Sequence, residues 1–142
     1  MKEDSMNTHP YLRAYMAGIL VPSVFVLFIF AAFCVVRFGY RVDLPIERAI
    51  VFPLALVPAL WGAWNMLYLA MHSHRRLPLG VHGAVLPAVL LPVAFLTAQA
   101  LDVGIPLQIA TTFWIVLPCV VIIYYLVWKY LVGFFNEMLG IA

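Results

Sequence analysis

The chain has 142 residues, of which 66% are apolar and 10% are charged, and its net charge is +2. An average soluble domain has about 25% charged residues, so this composition is typical of a membrane protein and excludes an ordinary soluble domain. The small net charge and the lack of a basic tract argue against nucleic acid as a partner.

Four apolar segments without a Lys, Arg, Asp or Glu make up most of the chain. At about 1.5 Å per residue, each is long enough to cross a hydrocarbon core about 30 Å thick. The first is longer than the apolar region of a secretory signal peptide and has no clear cleavage site, so we expect it to be retained. The predicted spans are Ala14–Val36, Ala49–Met71, Leu79–Leu101 and Ile105–Trp128.

The connections between the later spans are short. Residues 72–78 join the second span to the third, and residues 102–104 join the third to the fourth. Tight connections of this kind favour antiparallel neighbours, so the predicted fold is all-α, a single up-down-up-down bundle of four transmembrane helices. Every span contains proline, which removes a backbone donor and predicts a kink. These prolines are Pro22, Pro53, Pro58, Pro87, Pro92 and Pro118.

The distribution of Lys and Arg predicts the orientation. The side that holds both termini and the middle loop carries Lys2, Arg13, Arg75, Arg76 and Lys129, whereas the other side carries Arg37, Arg41 and Arg48. Because positive residues favour the cytoplasmic side, both termini are expected in the cytoplasm. The expected location is an inner (plasma) membrane of prokaryotic type.

The C-terminal extension, Lys129–Ala142, is apolar but contains Asn136 and Glu137. Before it, aromatic residues that include Trp128 surround Lys129 and suggest an aromatic belt at the membrane interface. An apolar helix that protruded alone from the bilayer would be unfavourable. We therefore expect the extension to lie in the interface or to pack against a partner.

A stripe of polar and aromatic residues runs along one face of the second predicted span. Trp61, Asn65, Tyr68 and His72 recur at helical spacing and share one face, and His82 opens the third span. A buried amide such as that of Asn65 should hydrogen-bond across to another helix. These five residues are the candidate cofactor-binding site, for a quinone, haem or lipid. Ordinary anchoring of histidines at helix ends is the competing interpretation, and no carboxylate is present in this cluster to complete a metal site.

Catalytic constellations are missing from the sequence. The spans contain no Asp or Glu for acid–base chemistry, and no hydrolase or metalloprotease motif occurs. The depths of Cys34 and Cys119 differ by roughly 16 Å along the helix axes, too far for a disulfide. The sequence therefore does not predict an enzyme.

Three functions remain open. The first is an accessory or structural subunit of a larger membrane complex, with lipids and other membrane subunits, or further copies of the chain, as partners. The second is a membrane protein that binds a quinone, haem or lipid at the stripe. The third is a homo-oligomeric channel or transporter for neutral solutes, lined by Asn65, Gln108, Thr111 and Thr112.

Overall fold

The computed structural model describes residues 9–41, 55–72, 77–100 and 107–141, with the backbone alone for residue 72 and residues 107–114. This part of the chain is helical and contains no β-strand, which confirms the predicted all-α class. The helices are α1 (Pro10–Cys34), α2 (Leu56–His72), α3 (Leu79–Ala100), α4 (Leu107–Val127) and α5 (Gly133–Met138), with π-helical turns at Val35–Gly39 and Trp128–Val132.

Three helical stretches are long and apolar enough to cross a membrane. They are Pro10–Gly39, Leu79–Ala100 and Ile115–Met138, whereas Leu56–Met71 is a shorter apolar helix. Residues 49–54 of the predicted second span lie outside the described residues. Large apolar side chains such as Leu27, Phe28 and Ile115 are exposed on the outside, as suits contact with lipid tails. These features are consistent with the predicted integral membrane protein.

The fourth helix is longer than its predicted end at Trp128. Val127 and Gly133 both have right-handed helical dihedrals, so the chain passes from α4 through the π turn into α5 without a break. The helix ends at Met138, and Gly140, two residues later, has a φ of +63°. There the N–H of Gly140 donates to the Glu137 carbonyl, and the N–H of Ile141 donates to the Asn136 carbonyl. This is a Schellman motif, in which glycine supplies the left-handed residue at little steric cost.

Prolines lie within four of the helices, and Pro58 is the third residue of α2. Pro22 is within α1, Pro87 and Pro92 are within α3, and Pro118 is within α4. Pro53 lies outside the described residues. The kinks expected at these positions remain a prediction.

Glycines bring α1 and α2 into close contact. A Cβ atom added to Gly18 would lie 2.7 Å from the Trp61 carbonyl oxygen and 2.9 Å from the Cα of Gly62. One turn earlier in α1, Ala14 contacts Asn65, which lies later in α2. The order of these contacts makes α1 and α2 antiparallel, and small residues at the crossing permit the approach.

A second crossing joins the start of α3 to the end of α4. Gly80 lies against Tyr125, and Gly83 lies directly against the Trp128 side chain. The two helix pairs meet around a shared core. The buried core residues are Val21, Trp61, Leu86, Leu90, Trp128 and Val132.

Candidate functional site

Trp61 and Asn65 of the predicted stripe on α2 face the interior, where the helix meets α1, α3 and the C-terminal helix. We call the resulting cluster the aromatic–amide junction, and its members are Trp61, Trp64, Asn65, His82, Trp128 and Asn136. Trp61 is 5% exposed and Asn65 is 1% exposed, so both side chains are in the protein core and do not face lipid.

Asn65 forms a buried amide pair with Asn136 of α5. The Nδ2 of Asn65 donates to the Asn136 Oδ1 at 2.8 Å, and the Nδ2 of Asn136 donates to the Asn65 Oδ1 at 3.3 Å. The same Asn65 nitrogen also donates to the carbonyl of Ala14 at 2.7 Å. This confirms the prediction that Asn65 bonds across to another helix. The amide joins α1, α2 and α5 at one point.

His82 and Trp64 form a second reciprocal pair, between α3 and α2. The indole Nε1 of Trp64 donates to the His82 carbonyl at 2.9 Å, and the His82 Nε2 lies 3.0 Å from the Trp64 carbonyl. Because a carbonyl only accepts, Nε2 must carry the proton in this contact. The two rings also stack, with centroids 4.8 Å apart. Two hydrogen bonds and one stacked contact therefore hold the start of α3 against α2.

Tyr68 and His72 occupy the outer part of the stripe. The Tyr68 ring lies 5.3 Å from the His82 ring, so these two predicted residues are in contact. The backbone of His72 ends α2, but its side chain lies outside the described residues. The structure thus brings together Trp61, Asn65, Tyr68 and His82.

The interpretation of Trp128 as part of an interfacial belt is wrong. Its side chain is 0% exposed and packs against Trp61 with ring centroids 5.4 Å apart. The π turn and α5 place Trp128, Val132 and Asn136 on one buried side. The spacing of these three residues, four apart, is a sequence signal that the helix continues with one buried face. The aromatic residues around Lys129 conceal this signal, because they resemble a membrane interface.

Trp64 and Asn136 were also absent from the predicted site. Asn136 carried a usable signal, since an amide in an apolar helix needs a polar partner and Asn65 had the same need. Trp64 gave no such signal, because its contact with His82 depends on how α2 and α3 cross. The extension itself packs partly on its own chain, whereas interfacial or partner contact remains a prediction for its outer face.

Chemically, the junction is a hydrogen-bonding cluster whose members include one imidazole, His82, and no carboxylate. No group of three His, Cys, Asp or Glu side chains suited to a metal ion occurs in the described part of the chain. Both cysteines are free. Two donors differ from the other polar groups of the junction. The indole Nε1 atoms of Trp61 and Trp128 are buried and have no hydrogen-bond partner.

Comparison with known proteins adds no family to this description. No family model, curated protein or solved structure matches the chain.

Proposed function

We propose that the chain is a non-catalytic integral membrane subunit that packs against other subunits of a larger membrane complex. The carrying observation is the unbroken helix from Leu107 to Met138. At about 1.5 Å per residue it is roughly 48 Å long, well beyond a hydrocarbon core of about 30 Å. A tilt of about 20° shortens its projection only slightly. Several helical turns with apolar side chains therefore extend beyond the lipid tails, where a protein surface is needed to shield them from water.

The C-terminal end of this helix has a buried face and an exposed face. Asn136 is fixed inside the chain by the pair with Asn65. On the opposite face, Phe134 is 55% exposed and Met138 is 67% exposed, with Tyr130 and Leu131 beside them. A neighbouring membrane subunit that covered this face would remove apolar surface that the chain itself leaves open.

The arrangement of the helices supports the proposed topology. α1 is antiparallel to α2, and the start of α3 lies against the end of α4, so an up-down-up-down order joins them with the shortest connections. In this order both termini lie on one side. The excess of Lys and Arg on that side favours the cytoplasm of a prokaryotic-type inner membrane.

The reciprocal hydrogen bonds of the junction support a structural role. Asn65 bonds to Asn136 and His82 bonds to Trp64, so these polar groups already have partners within the chain. Polar groups paired in this way fix the helices relative to one another in a medium that offers no water. They supply a rigid scaffold for contacts on the outer face.

Native mass spectrometry of the untagged protein, extracted gently from its own membranes, tests this proposal. We expect different chains at fixed stoichiometry. Phe134→Ala should weaken that association, whereas Phe28→Ala on α1, where the side chain is 71% exposed, should leave it intact. A chain recovered alone would overturn the proposal. A homo-oligomer without other chains would do the same and would favour the channel for neutral solutes.

A further inference from the structure

Two indole rings that are in contact at the centre of the junction each carry a buried N–H donor without an acceptor. Trp61 is 5% exposed and Trp128 is 0% exposed, and the indole N–H of each lacks a hydrogen-bond partner. Other polar groups of the junction are paired, as in the contact between Trp64 and His82. A buried donor without an acceptor loses its hydration without replacement, so two of them on adjoining rings require an explanation.

The missing group is an acceptor and not a donor. Within the described residues, both buried side-chain atoms without partners are N–H donors, and no buried side-chain acceptor stands open. A carbonyl oxygen has two lone pairs and can accept from two donors at once. A buried water molecule would bring two further hydrogens that need acceptors of their own, and buried waters typically make about three hydrogen bonds.

The surroundings select a neutral, apolar molecule. The Trp61 ring lies 5.2 Å from the Tyr124 ring and 5.4 Å from the Trp128 ring, and Val21, Leu86 and other apolar residues complete the core. An anion here would lose its hydration in a setting of rings and aliphatic side chains. The hydroxyl of Tyr124 approaches Trp61 without closing a hydrogen bond of normal geometry, and Tyr124 is only half-buried. Tyr124 therefore lies between the buried Trp61 ring and the outer surface of the bundle.

We propose that Trp61 and Trp128 form the donor pair of a binding site for a neutral, lipid-soluble carbonyl compound. The carbonyl oxygen accepts from both indole N–H groups, and the rest of the molecule lies against the aromatic rings. Ring ketones, such as those of quinones, and ester carbonyls of lipids share this chemistry. The site is independent of the proposed contact with other subunits, because it lies inside the chain.

The first test compares two probes that differ only in their carbonyl groups. They are 2,3-dimethyl-1,4-naphthoquinone and 2,3-dimethylnaphthalene. The two methyl groups of the quinone occupy the ring positions to which the thiols of the free cysteines could otherwise add. The probes are titrated into protein labelled with ¹⁵N at tryptophan, in detergent micelles. We expect the quinone alone to move the indole N–H signals of Trp61 and Trp128 downfield. Equal shifts with both probes, or no shift with either, would overturn the site.

Variants then assign the donors. Trp61→Phe and Trp128→Phe each keep an aromatic ring but remove one N–H, and each should weaken quinone binding about fivefold, the effect of one typical hydrogen bond. Tyr130→Phe, on the exposed side of the same helix, should bind as the wild type does. Far-UV circular dichroism checks that each variant is folded. The probe comparison uses wild-type protein, so it decides the question even if a variant does not fold.

Organic extraction of the natively purified protein identifies the source of the carbonyl. A quinone or other ring ketone at about one per chain would assign the site to that class, and an acyl lipid retained in the same ratio would assign it to an ester. The amount of either ligand per chain should be lower in Trp128→Phe than in the wild type, as expected for binding weakened about fivefold. An unchanged amount in that variant would contradict the assignment.

Discussion

The crossing of α1 and α2 at Gly18 gives the sharpest test of how this bundle is packed. In Gly18→Ala the new methyl group would lie 2.7 Å from the carbonyl oxygen of Trp61, 2.9 Å from the Cα of Gly62 and 3.0 Å from the Cβ of Asn65. Two of these atoms belong to the backbone of α2. A rotamer change cannot move them, so the two helices must separate.

The magnitude follows from two opposing contributions. Overpacking of this kind costs about 1–3 kcal/mol. Alanine is the better helix former and returns at most about 1 kcal/mol. We therefore expect Gly18→Ala to lower the free energy of unfolding by about 1–2 kcal/mol. Separation of the helices would also lengthen the bond from Asn65 to the Ala14 carbonyl, which adds to the loss.

Gly133 supplies the matched control. A Cβ atom there would meet its closest neighbours, the Leu79 Cδ2 and the Trp128 carbonyl oxygen, at 3.6 and 3.7 Å, which is ordinary contact. Gly133→Ala should therefore leave stability unchanged or raise it by up to about 1 kcal/mol. Thermal and denaturant unfolding in a mild detergent, followed by circular dichroism, compares the two variants. Equal stability of both would refute the close crossing at Gly18.

Further predictions concern the paired polar groups. Asn65→Leu and Asn136→Leu should each cost about 1–3 kcal/mol by leaving a buried amide unpaired, and the double variant should cost less than their sum, as an unfolding double-mutant cycle will show. Strict additivity would mean that the amides do not interact. His82→Phe keeps an aromatic ring but loses the contact with the Trp64 carbonyl, and should lower the free energy of unfolding by about 1 kcal/mol in the same assay; a variant as stable as the wild type would contradict that contact. Removal of residues 133–142 should speed hydrogen exchange in α2 around Asn65, and unchanged exchange would mean that the C-terminal helix is not attached there.

The candidate site was partly accessible to sequence reasoning. The helical spacing of Trp61, Asn65 and Tyr68 placed them on one face, and the amide of Asn65 required a polar partner within the protein. Which residue supplies that partner could not be read from spacing. Asn136 lies in a region that is predicted as a separate extension, because the aromatic residues around Lys129 resemble the interface at which a span ends.

The sequence by itself determined that this protein lies in a lipid membrane and that it is helical. Long apolar segments without charge have favourable burial only in lipid, and their backbone groups must then be bonded within helices. The tertiary structure alone decided which small residues meet, as at Gly18 and Gly62, and which donors stay unpaired, as at Trp61 and Trp128. Such contacts depend on crossing angles and on the rotation of each helix about its axis. Apolar side chains are compatible with many of these arrangements, so local sequence cannot choose among them.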